Sequence, residues 1–95
     1  MIAVVTGGSR GIGAAVMREM AARGYDCRDL SRTSGHDAGD EASVNRFFGE
    51  LERLDVLVNN AAILELAHVV DMRVETWDEV IRVDLRGAFL CSQAA

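Results

Sequence analysis

Between Met1 and Gly13 the chain passes from a short apolar run, Met1-Ile2-Ala3-Val4-Val5, into a glycine-rich turn, Thr6-Gly7-Gly8-Ser9-Arg10-Gly11-Ile12-Gly13. No other stretch constrains the fold as tightly. An apolar, β-branched run without polar alternation is a strand buried on both faces, as in parallel sheets. Glycines at 7, 8, 11 and 13 let the backbone turn sharply and come close to a ligand. The helix that follows points its free N–H groups, and the positive end of its dipole, at whatever lies above the turn. Such a turn is a ready site for a pyrophosphate. The spacing is Thr-Gly-x-x-x-Gly-x-Gly, on Thr6, Gly7, Gly11 and Gly13, rather than G-x-G-x-x-G.

A second motif, Leu57-Val58-Asn59-Asn60-Ala61-Ala62, ends another apolar run. Together the two motifs resemble the short-chain dehydrogenase/reductase family, with its Thr-Gly-x-x-x-Gly-x-Gly and later Asn-Asn-Ala-Gly; the resemblance runs from Met1 to Ala95. It implies an α/β chain with a Rossmann-like parallel sheet and flanking helices, incomplete at about three to four strands. Residues 1–95 would then be the dinucleotide-binding half of an oxidoreductase. In a complete relative, a hydride passes between NADP(H) and a carbonyl or alcohol. The family also places a Ser and a Tyr-x-x-x-Lys well downstream. Here the one tyrosine is Tyr25, and all 10 basic residues are arginines. The catalytic half is therefore expected to be absent, with little or no activity from this chain alone. The alternatives are a non-catalytic dinucleotide-binding or oligomerisation module, or a truncated fragment without independent activity.

At 95 residues the chain has room for one small domain. Hydrophobic residues make up 49%, enough for a core and too many for a disordered segment. A net charge of −5 argues against nucleic acid as a partner. No apolar run reaches the ~18 residues of a membrane helix, and the first strand starting at Met1 leaves no room for a leader. Cys27 and Cys91 do not form a disulfide framework, which suggests a reducing, cytoplasmic setting. His36 and His68 lack partners at metal-ligand spacing, so no metal is expected.

Apolar spacing predicts a helix from about Gly11 to Arg23, with Ile12, Ala15, Val16 and Met20 toward the sheet and Gly24 ending it. A strand near Tyr25–Ser31 carries Asp26, Arg28 and Asp29, a polarity that suits an edge. Arg32–Gly39 is turn-like, and any third strand there must be very short, centred on His36-Asp37. Asp40 can cap a helix whose apolar face is Val44, Phe47, Phe48, Leu51 and Leu54. Asp55–Asn59 is a further strand. Thr76-Trp77-Asp78-Glu79 reads as a capping box opening a helix with Trp77, Val80, Ile81, Leu85, Ala88 and Phe89. That helix shows no stop signal before Ala95.

The phosphate turn makes Thr6, Gly7, Ser9, Arg10, Gly11, Ile12 and Gly13 candidate cofactor-binding residues; the Ser9 hydroxyl and Arg10 guanidinium can reach phosphate oxygens. Arg32, just past the second strand, suits the 2′-phosphate of NADP, where an acid would select NAD. NAD stays possible through Asp29 should the strand register shift, and Arg32 also reads as a solvated turn residue. By the resemblance, Asp37 would bond the adenine amino group, although a solvated loop aspartate is the plainer reading. Asn59 and Asn60 would tie the central strands together and line the adenosine ribose, with Ala61 also at the cofactor. Ala62 stands where the family has Gly, predicting a slightly reshaped pocket. Asp84 stands where the family has a catalytic Asn. A carboxylate only accepts hydrogen bonds, so a proton relay there would have to be rearranged. Gly87, costly inside a helix by roughly 1 kcal/mol, suggests close helix–helix packing. Homo-oligomerisation is expected, since an open sheet edge and an apolar helix face invite partners.

Overall fold

β1 (Ile2–Thr6) is buried along its whole length in the computed structural model, which describes residues Met1–Ala95. It lies at the centre of a three-stranded sheet of order β2-β1-β3, with β2 at Asp26–Leu30 and β3 at Val56–Val58. Both pairings are parallel, and the register sets Val5 beside Asp29 on one side and Val58 on the other. The unbroken apolar run thus marks the one strand with neighbours on both edges. Its carboxyl end, and those of β2 and β3, point to the same rim of the sheet.

Helix α1 (Gly11–Ala22) leaves the glycine turn and ends where Gly24 takes a φ of 93°. The stripe on its inner side differs from the expected one. Gly13 is buried and Val16, Met17 and Met20 are half-buried, while Ala15 is exposed and Ile12 is 77% exposed. The close seat of Gly13 on the turn fixes the helix's rotation, and that turns Ile12 outward.

Between β2 and the next helix there is no third strand. Gly35, at φ 85°, lets the chain fold back, and His36 N–H reaches Ser31 O at 2.9 Å. The Ser34 hydroxyl donates to Asp29 O at 2.8 Å. These side-chain bonds close Ser31–His36 into a tight turn and leave no extended run at His36-Asp37. Strand β2 is consequently an edge. Its rim carries the Arg28–Asp26 pair, the kind of charge that deters strand addition.

Helix α2 (Glu41–Gly49) starts at Asp40, whose carboxylate accepts the Ser43 N–H at 2.9 Å. Val44 and Phe47 enter the core with Ile2, Val4, Leu30, Leu90 and Cys91, while Phe48, Leu51 and Leu54 pack at its border. Asp55 locks β3 to the start of β1: its N–H donates to Ile2 O at 2.9 Å and its carboxylate accepts the Ile2 N–H at 2.7 Å.

Helix α3 (Val74–Ile81) runs through a π turn (Arg82–Arg86) into α4 (Gly87–Ala94). The capping box does not form. The helix begins at Val74, and the Trp77 N–H already reaches Arg73 O at 3.1 Å, so Thr76 lies inside the first turn. Glu79 is engaged by Arg82 instead. Gly87 packs not on another helix but on the Ala38 loop, where a Cβ would stand 3.1 Å from Ala38 O. Trp77, Leu85 and Phe89 stay 57%, 65% and 59% exposed. No helix is long and apolar enough to cross a membrane.

Candidate functional site

The rim at the carboxyl ends of the strands is built by the two motifs acting on each other. Thr6, the last residue of β1, is buried, and its Oγ1 accepts the N–H groups of Asn60 and Ala61 at 3.0 and 2.9 Å. In return, Asn60 Nδ2 donates to the carbonyls of Thr6 and Gly7 at 3.1 and 3.2 Å. Asn59 turns the other way, donating to the Ser92 hydroxyl on α4 at 3.1 Å. One asparagine therefore holds β3 to the turn, and the other holds it to the last helix.

Within the turn, Gly7 and Gly11 take φ values of 67° and 61°, a region that L side chains rarely enter. Gly13 is needed for a different reason: a Cβ there would lie 2.2 Å from Gly7 O. No side chain caps the start of α1 and no acid lies in its first turn, so its first N–H groups face the space above. Asp29 braces the turn from below. Its Oδ1 accepts the Gly8 N–H at 2.7 Å and its Oδ2 accepts the Ser31 hydroxyl at 2.6 Å.

Over this rim lies a cleft of about 550 Å³. Gly7, Ser9, Arg10, Gly11, Arg32, Asp37, Asn60 and Ala61 line it, with Ala62 on the wall. Thr6 and Gly13 form the layer beneath rather than the lining, and Ile12 points outward. Asp84 also lies outside it. It sits in the π turn, where its Oδ1 accepts the Ile63 N–H at 2.8 Å and ties the loop after the Asn-Asn motif to the helix.

Two residues that the sequence did not mark as part of a site, Glu79 and Arg82, stand behind the Asp37 side of the cleft. Arg82 donates from Nη1 to Asp37 Oδ2 at 3.0 Å, and from Nη2 and Nε to the Glu79 carboxylate at 2.7 and 3.2 Å. Asp37 also accepts the Gly39 N–H at 2.9 Å. Hydrogen bonding to Glu79 and Asp37 raises the Arg82 pKa, and the Arg82 bond holds the Glu79 carboxyl below its usual value. Both groups stay charged. The Glu79–Arg82 spacing of one helical turn was visible in the sequence, but nothing local announced the link to Asp37.

The family model described as enoyl-(acyl carrier protein) reductase matches residues 28–95. The chain belongs to the short-chain dehydrogenase/reductase family. Among curated members, it is 33% identical over 116 residues to an uncharacterised oxidoreductase of Thermotoga maritima, covering 97% of this chain and 45% of that protein. It is 37% identical over 105 residues to the 3-oxoacyl-(acyl-carrier-protein) reductase MabA of Mycobacterium avium, covering 97% and 41%. The chain thus spans less than half the length of these two relatives. A short-chain dehydrogenase of Burkholderia cenocepacia, solved in complex with NADP, superposes with a TM-score of 0.90 at 30% identity, over 99% of this chain and 49% of that one. Relatives in this family hold a dinucleotide, and three parallel strands with flanking helices are the portion of the fold present here.

Proposed function

We propose that residues 1–95 form the NADP(H)-binding half of a short-chain dehydrogenase/reductase oxidoreductase. The observation that carries this reading is a cleft with Arg10 and Arg32 on its wall and Asp29 already bonded beneath it. The Gly7–Gly13 turn suits the pyrophosphate, because no side chain caps the start of α1 and an added Cβ at Gly11 would meet nothing within 4 Å. Ser9 and Arg10 would bond phosphate oxygens. Asn60 and Ala61 would bound the adenosine ribose, Asp37 would accept the adenine amino group, and Arg32 would receive the 2′-phosphate. When bound, such a cofactor supplies the hydride.

Asp84, at the family's catalytic Asn position, has one carboxylate oxygen committed to the Ile63 N–H, so any part in a proton relay would fall to the other. With Tyr25 the one tyrosine and every basic residue an arginine, residues 1–95 alone would show little or no hydride transfer. Exposed Trp77, Leu85 and Phe89 favour self-association as a second property of the chain. Free thiols at Cys27 and Cys91 suit a cytoplasmic setting.

Calorimetric titration of the chain with NADPH and, separately, NADH tests the cofactor assignment. Saturable binding with NADPH the tighter is the expected result. Tighter NADH would refute the Arg10/Arg32 assignment. Heat from neither would refute binding by the half-fold and favour a fragment without independent activity.

A further inference from the structure

Arg32 is the residue on which the NADP(H) reading turns, and it is not alone. Its Nη2 lies 3.4 Å from Glu79 Oε1, the same oxygen that Arg82 Nη2 holds at 2.7 Å. One carboxylate therefore has two guanidiniums competing for it. Arg82 has the better position: its side chain is 29% exposed against 71% for Arg32, and it makes two bonds to Glu79 and one to Asp37. Gly39 makes room for it, since a Cβ there would come 2.5 Å from Arg82 Nη1. The network forms part of a polar hollow of about 460 Å³, lined by Arg32, His36, Asp37 and Arg82 among others. Arg32, His36 and Asp37 line the dinucleotide cleft as well.

We infer that Arg82 is a positioning residue for cofactor selection. By occupying Glu79 and Asp37 it limits Arg32 to one long, exposed contact with Glu79, easily given up to a 2′-phosphate, and keeps two carboxylates from repelling that phosphate. The inference rests on the NADP(H) reading. Without Arg82, Glu79 and Asp37 have Arg32 as the nearest cation in the network, and the network passes from neutral to net negative beside a phosphate dianion. Without the Glu79 charge, Arg32 loses its competing anchor and the wall turns more positive. The two changes must then act in opposite directions on a 2′-phosphorylated ligand. Neither should move a ligand lacking that phosphate by as much.

The test is calorimetric titration of the chain with adenosine 2′,5′-bisphosphate and with 5′-AMP, for the unaltered protein, Arg82→Gln, Glu79→Gln and the double variant. Arg82→Gln should weaken the bisphosphate about fivefold relative to 5′-AMP, the scale of a solvent-screened charge pair. Glu79→Gln should shift the same ratio the other way, and the double variant should return close to the starting ratio. An equal loss of both ligands in Arg82→Gln would overturn the inference, because a merely structural arginine would do that. So would a Glu79→Gln shift of the same sign as Arg82→Gln. Should Arg82→Gln fail to fold, the sign of the Glu79→Gln shift decides alone. The unaltered protein's own ratio tests the NADP(H) reading separately: no preference for the bisphosphate refutes that reading and this inference with it.

Discussion

Replacing Gly13 by alanine should damage the turn far more than its small size suggests. The new methyl would stand 2.2 Å from Gly7 O, 2.5 Å from Asn60 Nδ2 and 2.9 Å from Gly7 C, where ordinary contact starts at 3.4 Å. Two of those three atoms belong to backbone, and the third is the amide that holds the Thr6 and Gly7 carbonyls. Either α1 moves outward by about an ångström or Asn60 gives up its bonds. Overpacking of this kind costs roughly 1–3 kcal/mol, and each lost hydrogen bond about 1 kcal/mol. Alanine's better helix propensity returns at most about 1 kcal/mol. A net loss of about 2–3 kcal/mol is a large share of the stability of a small domain. It should lower the urea midpoint by roughly 1–2 M, followed by circular dichroism, with the slope unchanged. Gly49→Ala is the control: it sits at the end of α2, has nothing within 4 Å of its Cβ position and does not need a positive φ. It should be neutral or slightly stabilising. Equal midpoints for the two variants would refute the steric account of Gly13.

Thr6→Val keeps the shape of the side chain but strips the Asn60 and Ala61 N–H groups of their shared acceptor; a loss of about 2–4 kcal/mol is expected by urea denaturation. Asp55 accepts bonds from Arg53 and from the Ile2 N–H, and these hold its carboxyl below the usual value of 3.8. A depressed folded pKa contributes stability above the unfolded value and loses it as pH falls through the folded one. The stability gap between the unaltered protein and Asp55→Asn should therefore be full at neutral pH and shrink below about pH 3.8, read from urea midpoints across that range.

What could be read from the sequence was what depends on neighbours along the chain. The apolar run, the left-handed glycines, the Asp40 cap and the Asn-Asn motif each carry their own signal, and together they mark the strands and the rim. The β2 edge was legible too, because charged side chains alternate along it. Thr76-Trp77-Asp78-Glu79 misled because a capping box is recognised by residue type alone. Its hydrogen bonds need Thr76 to be non-helical, and the helix is already formed at Val74. The inward stripe of α1 was misjudged for a related reason: periodicity gives a spacing, while rotation is set by the contact of Gly13 on a turn far from mid-helix. Local pattern could give the Arg82 pairing with Glu79 but not its link to the cleft. Its partner Asp37 is brought near only when the turn at Ser31–His36 folds the chain back under the last helix.

Asp29 has a consequence for how such a chain can change over time. Because its carboxylate is the brace that holds Gly8 and Ser31, a lineage shifting between dinucleotides cannot recruit that acid without loosening its own glycine turn. The route left open runs through Arg32, just past the strand and on the cleft wall, whose side chain braces nothing in the turn. On the NADP(H) reading, drift at Arg32 alters a preference, whereas drift at Asp29 loosens the turn itself.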